Sequence, residues 1–325
     1  MIKNFIAIKL SSILTASMVN ELNDALENKH FVPCGANDEF AFGFLPHPDS
    51  EKYLRTITHL HVINFVFEKK SVPAKLINTT VEEMLLEYKE RSNGRDPSKE
   101  EIKEMKVLAK AKLLPRAFPK RTDVMMWIDN KTGLIFIEAS SVKTAEVAMA
   151  SLRNAYSSLP AGTFLNTLTT PSALMTKWIL DQDIQNFTVD DRCEMVLPVD
   201  RKPTIKYVNH TLSGEEIKDF ITDGRTVVSL GLTYQDKVSF QFTDKFIFKS
   251  IKYGEFLSRQ FAEDGTDWAG QFLVLSADLA AMLDSLILHM GGLLSQQAED
   301  ALGGDQGGGE QGNGNEDDTE FKDAA

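Results

Sequence analysis

Apolar and polar positions change period repeatedly along the chain, and each change marks an element. Residues 4–10 are almost wholly apolar apart from Lys9, and they predict a strand. Over 13–28, Leu14, Met18, Leu22 and Leu26 recur at fourfold spacing and predict a helix. The early lysine and apolar run also suit a secretory signal, but Lys9 splits the run and the amphipathic stretch follows at once, so a strand–helix start is preferred. Phe40, Phe42 and Phe44 alternate as in a half-buried strand, and 60–68 predicts another, ended near Pro73. Two helices follow over 75–91 and 97–113, broken at Asn93-Gly94-Arg95. Asp96-Pro97 offers an N-cap and first-turn proline for the second; Ser98 and Glu101 have capping-box spacing for an alternative start one turn later.

β-type alternation returns after Pro115 and Pro119. Val124 to Ile128 and Leu134 to Ala139 flank Asp129-Asn130-Lys131-Thr132-Gly133, a hairpin signal, and a helix is predicted over 142–157. The second half predicts a helix over 171–181, strands near 193–197 and 203–208, and a helix over 213–222 opened by Ser213 and closed by Gly224. Three strands from Thr226 to Lys252 and helices near 254–262 and 277–290 complete it. The apolar stretch Leu279 to Leu294 carries Asp284 and His289, so a core or interface helix is expected and no membrane association. Strands and helices mix without regular βαβ alternation, which predicts an α+β fold with mixed or antiparallel sheets.

The 325 residues suit roughly two domains of about 150 residues. Two cysteines, Cys34 and Cys193, are too few for a disulfide-rich scaffold or a four-cysteine zinc site, and a reducing, cytoplasmic compartment is the default expectation. The formal charge of −12 at first argues against a nucleic-acid partner. It is unevenly spread. Residues 303–325 hold seven glycines, seven acids and one base, a net −6 in a composition that predicts disorder. The other 302 residues hold 40 acids and 34 bases, also −6. Within them, residues 105–121 carry Lys106, Lys110, Lys112, Arg116, Lys120 and Arg121 and no acid, a local +6.

On the helix 97–113, Lys99, Lys103, Lys106 and Lys110 are spaced 4, 3 and 4 apart, so at about 100° per residue they form one ridge about 16 Å long. Ile102, Met105, Ala109 and Leu113 make the neighbouring apolar strip. Such a ridge suits a duplex phosphate backbone read without sequence; the plainer reading is a solvated face partly neutralised by Glu100, Glu101 and Glu104. Leu113-Leu114-Pro115-Arg116-Ala117-Phe118-Pro119-Lys120-Arg121 is read as a stiff, non-helical segment holding three more cations beside the ridge. Phe118 is open to a core role, an interface contact or base stacking; the last is least supported, since no other aromatics interleave with these bases.

Signals for catalysis are weak. The chain lacks a Gly-rich phosphate loop, G-x-S-x-G and H-E-x-x-H. Asp129 and Glu138 flank the hairpin as nuclease carboxylates do, but Glu138 is followed by Ala139-Ser140 where a lysine is needed. His59 and His61 are read on one strand face without a third ligand, and Cys34 as a small buried residue. No metal, cofactor or catalytic residue is expected, and the chain is not read as an enzyme.

Several segments together resemble the bacterial recombination-associated RdgC family: Phe31-Val32-Pro33-Cys34-Gly35, Leu113 to Phe118, Met125 to Asp129 with Gly133-Leu134-Ile135, Leu212 to Ile217, Gly224 to Phe242, and Leu275 to Leu283. The resemblance spans about residues 1–292. It implies a ring-shaped homodimer with a positively charged hole and a protruding two-helix arm, binding duplex DNA with little sequence preference and limiting RecA access, in the cytoplasm at the nucleoid. The expected DNA-facing residues are Arg95, Lys99, Lys103, Lys106, Lys110, Arg116, Lys120 and Arg121, with Leu113 and Phe118 at the dimer contact. Binding of single strands stays open. The expected division is a central domain (1–73 and 122–165), the arm (74–121), a C-terminal domain with a second dimer contact (166–298), and the acidic tail (299–325). The segment Val208-Asn209-His210-Thr211 is poorer in charge than the lysine-rich turn usual there, and the family's N-terminal tryptophan is replaced by Met-Ile-Lys-Asn-Phe. Two rivals remain: a metal-dependent DNA-processing enzyme, and a protein–protein adaptor using the basic arm.

Overall fold

The computed structural model describes residues 1–181, 184–199, 204–254 and 267–294. Its strands are β1 (Phe5–Leu10), β2 (Phe40–Leu45), β3 (Leu54–Ile57), β4 (Leu60–Lys70), β5 (Pro119–Asp129), β6 (Leu134–Ile137), β7 (Gly162–Phe164), β8 (Phe187–Val196), β9 (Ile205–Tyr207), β10 (Thr226–Tyr234), β11 (Val238–Thr243) and β12 (Ile247–Tyr253). The helices are α1 (Ala16–Glu27), α2 (Ala74–Arg91), α3 (Lys99–Leu113), α4 (Val142–Ala155), α5 (Pro171–Asp181), α6 (Glu215–Thr222) and α7 (Trp268–His289). The α+β class agrees with the sequence, and the sheet is antiparallel throughout: β2-β4-β5-β6-β1-β12-β11-β10-β8-β9, with β3 on β4 and β7 on β1. The N- and C-terminal halves meet where Phe5 pairs with Phe248 and Ile6 with Ile247.

Strand alternation sorts side chains between two cores. On β1, Phe5 and Ala7 face one side, and Ile6, Ile8 and Leu10 the other. The first side joins Trp127, Phe136, Phe242 and Phe248 to buried residues of α5, α6 and α7. The second packs Phe44, Phe65 and Met126 under α1 and α4. Phe5 stacks on Phe248 with centroids 4.3 Å apart, and Trp127 on Phe136 at 4.9 Å, so aromatic packing spans the junction of the halves. In the C-terminal half, β11 buries Val238, Phe240 and Phe242 and turns Ser239, Gln241 and Thr243 to the open side. That alternation marks an antiparallel sheet covered on one face.

Caps fix the helix starts: the Thr15 hydroxyl accepts from Met18 N–H, that of Ser141 from Thr144 N–H, and the Asp267 carboxylate from Gly270 N–H. The last cap starts α7 nine residues before the predicted 277. By length and composition α7 could also cross a membrane, yet Phe272, Leu275, Leu279, Met282, Leu283 and Leu286 are buried in the first core. Helix α6 starts at Glu215 behind Gly214, with no side-chain cap from Ser213. Phe40 and Phe42 are exposed, and only Phe44 of that alternating trio enters the core; the other two line an open groove with Phe67 and Val147 beside α4. The helix expected near 254–262 lies almost wholly outside the described residues, and the acidic tail wholly so.

Candidate nucleic-acid interface

Helices α2 and α3 pack on each other and bury little: Thr80 and Val81 on one, Ala109 on the other. Their junction is locked at Glu101. The Ser98 hydroxyl accepts from Glu101 N–H at 3.2 Å, and Glu101 Oε2 accepts from Ser98 N–H at 2.7 Å, so the capping box rather than Asp96-Pro97 starts α3. Glu101 Oε1 also accepts from the Tyr88 hydroxyl at 2.8 Å and from the Arg95 guanidinium at 2.5 Å, and Arg95 contacts the Tyr88 hydroxyl as well. The Ser98 backbone bond, then the Tyr88 hydroxyl, hold the Glu101 carboxyl down at about 2. Arg95, expected to face DNA, is committed to this clasp.

Lys99, Lys103, Lys106 and Lys112 are exposed on α3 and form no ion pair among the described residues. Lys110 differs, since its ammonium lies 2.8 Å from Glu39 Oε2. The segment after α3 is a 3-10 turn, Leu114–Arg116, followed by β5 from Pro119, so the expected irregular stretch 113–121 is replaced by turn and strand. Pro119 fits there because the terminal strand position needs little from its nitrogen. Arg116 and Lys120 are exposed without ion partners among the described residues. Arg121 is held by Asp123 at 2.8 Å and lies over the Phe31 ring. Of the eight predicted cations, five are thus open to a ligand (Lys99, Lys103, Lys106, Arg116 and Lys120) and three are engaged.

Strand register adds one that sequence reasoning missed. Lys69 pairs directly with Lys120 across β4 and β5, and its ammonium lies over the Phe40 ring. Nothing short of the pairing register reveals it.

Apolar side chains flank these cations. Phe118 is 92% exposed, and Leu76, Leu86, Val107 and Leu108 each show more than half their surface. Leu113 is half-buried and Leu114 buried. Val107 and Leu108 lie off the Ile102–Leu113 strip, the one sequence signal for a second apolar surface on α3.

Of the other residues weighed for chemistry, only His59 and Asp129 meet among the described residues, with His59 Nε2 3.8 Å from Asp129 Oδ1. Asp129 accepts from the Lys131 and Thr132 amides in the hairpin turn. His59 sits in the turn before β4 rather than on the strand; His61 is buried against the Thr56 hydroxyl, and burial lowers its pKa. Glu138 is raised by burial and accepts from Lys3 N–H at 3.4 Å. Cys34 is half-buried with its amide bonded to Glu68, and burial pushes the Cys193 thiol up to about 12. Among the described residues no three His, Cys, Asp or Glu side chains gather as metal ligands.

Fold and surface together define an antiparallel α+β protein with exposed cations on α3, the turn after it and β5, and exposed apolar residues on the same elements. The chain belongs to the RdgC family, whose model, described as "Putative exonuclease, RdgC", matches residues 1–293. It is 27% identical over 281 residues to the recombination-associated protein RdgC of Dechloromonas aromatica, covering 84% of this chain and 91% of that protein. The same-named proteins of Cupriavidus pinatubonensis and Salmonella agona are each 29% identical, over 84% and 89% of this chain and 92% and 97% of theirs. The family is recombination-associated.

Proposed function

We propose that the chain is a non-sequence-specific duplex DNA-binding protein that modulates recombination by limiting RecA access to DNA, acts as a ring-shaped homodimer at the nucleoid, and performs no chemistry of its own. The observation that carries this reading is the set of five exposed cations on α3, the turn after it and β5, without ion partners among the described residues, in a chain that is otherwise acidic. Phosphates neutralise such a set without base readout. The small buried surface of α2 and α3 supports a projecting arm, and the 92% exposed Phe118 supports an apolar dimer contact beside it. Encirclement would keep the protein on duplex while its cations occupy the backbone.

Fluorescence polarisation with a short duplex tests the reading. Six to eight phosphate contacts give a slope of log K against log[salt] of about −5 to −7. A flat dependence overturns it. Phe118→Ala is expected to lower both solution mass and DNA affinity while leaving the fold intact. Incubating supercoiled DNA with magnesium or manganese tests the absence of nuclease activity, and any cleavage abolished by changing a carboxylate overturns that part.

A further inference from the structure

On the open face of the C-terminal half-sheet a groove of about 860 Å3 runs beside the first turn of α4. Its floor is set by register: Lys206 opposes Glu194, Glu194 opposes Ser229, and Ser229 opposes Thr243, while Lys249 opposes Gln241 one row away. Lys143 of α4 and Lys245 of the β11–β12 turn complete a rim of four lysines. The carboxylates in the groove are Glu146, Glu194 and Asp244, and Glu194 is bridged to Lys206 at 3.3 Å.

Two independent features point to an anion. The first turn of α4, where the Ser141 hydroxyl already accepts from the Thr144 amide, carries the positive end of the helix dipole. Ser229 is 6% exposed, lines the groove, and its hydroxyl is buried without a hydrogen-bond partner. Buried hydroxyls are normally satisfied, so an orphan on a polar floor marks a place where an acceptor belongs. A tetrahedral oxyanion supplies acceptors to hydroxyl, amide and ammonium donors at once.

We propose that this groove binds a phosphate group, separately from the strip on α3 and β5. The phosphate comes from a polynucleotide backbone or from free phosphate, and the experiment separates the two. Only the duplex measurement rests on the proposed DNA-binding function.

The full chain and three variants are compared: Lys245→Gln/Lys249→Gln, Ser229→Ala, and Lys103→Gln/Lys106→Gln on α3. Anisotropy with a labelled duplex and thermal melting in inorganic phosphate, against chloride at matched ionic strength, are the two readouts. If the groove takes backbone phosphate, Lys245→Gln/Lys249→Gln weakens duplex binding at least tenfold at low salt and lowers the magnitude of the salt slope by about two for each protomer that meets the duplex, in addition to the loss in the α3 variant. If it takes free phosphate, duplex affinity is unchanged, phosphate raises the melting temperature of the wild type, and that rise is lost in both groove variants. Ser229→Ala removes an unpaired hydroxyl, so it folds normally without phosphate and serves as the check on misfolding. Unchanged duplex affinity together with no variant-sensitive phosphate response overturns the site. A wild type that binds no duplex overturns the proposed function alone, because the phosphate melt still reads the groove.

Discussion

Lys110 Nζ lies 2.8 Å from Glu39 Oε2, so the last cation of the α3 ridge is held by the residue that immediately precedes β2. Both side chains are partly exposed, and a surface pair of this kind is worth about 0–1 kcal/mol. Its importance is positional: it ties the C-terminal end of α3 to the edge of the sheet. It also separates one neutralised lysine from the three open ones before it.

That separation predicts unequal effects on duplex binding. Lys106→Gln should reduce the magnitude of the salt slope by about 0.9 for each copy of the lysine that meets a phosphate, so by up to about 1.8 in the dimer. Lys110→Gln should reduce it by clearly less, since Glu39 already neutralises that ammonium. Polarisation titrations over a range of salt concentrations check this, and equal losses would show that Glu39 releases Lys110 to the phosphate.

Glu101 predicts a pH response at the helix junction. Its folded value of about 2 lies below the ordinary 4.5, so the fold favours the carboxylate. The stabilisation is complete above about pH 4.5 and is lost as pH falls through 2. Amide exchange at the start of α3, corrected for intrinsic rates, should therefore accelerate over that window in the wild type and much less in Glu101→Gln. Ser98→Ala should cost about 1 kcal/mol through the other half of the box. Acid-independent exchange in the wild type would remove Glu101 as the clasp.

Gly43 predicts a steric limit. A Cβ there would stand 2.5 Å from Phe31 Cα and 2.7 Å from Phe31 N, backbone that cannot swing away as a side chain does. The Phe31 amide is meanwhile bound to the Phe44 carbonyl at 2.9 Å, holding the two segments together. Gly43→Ala should destabilise by about 1–3 kcal/mol in denaturant melts, as overpacking does. A wild-type midpoint would mean that the His30–Phe31 segment yields at no cost.

Periodicity made most elements legible: α1 through Leu14, Leu22 and Leu26, the β5–β6 hairpin through its Asp129–Gly133 turn, and β11 through strict alternation, with β10 and β12 as apolar-rich runs on either side of it. Short strands escaped, because β3 and β7, four and three residues long, carry too few positions to show a period. The early start of α7 escaped because Asp267 caps from beyond Gly270, a residue that weakens a helical pattern. At the cationic surface, spacing placed the ridge correctly but was blind to pairing. Arg95 and Arg121 are taken by carboxylates close in sequence, Glu101 and Asp123, while Lys110 reads as equivalent to Lys103 until the fold brings Glu39 to it. Lys69 and the Ser229 groove are products of register alone.

The central place of β1 also dictates an order of assembly. Its first neighbour in synthesis is β6, at residues 134–137, while the strand that covers Phe5 and Ile6 on the opposite edge is β12, which begins at Ile247. β7 covers the Ile8–Leu10 stretch of that edge, but a nascent chain that has closed the N-terminal half-sheet still carries Phe5 and Ile6 unpaired there until β12 is made, a setting in which unpaired strands invite mispairing. Placing the first strand at the middle of the sheet thus makes the pairing of the two halves a long-range step that waits for the end of synthesis.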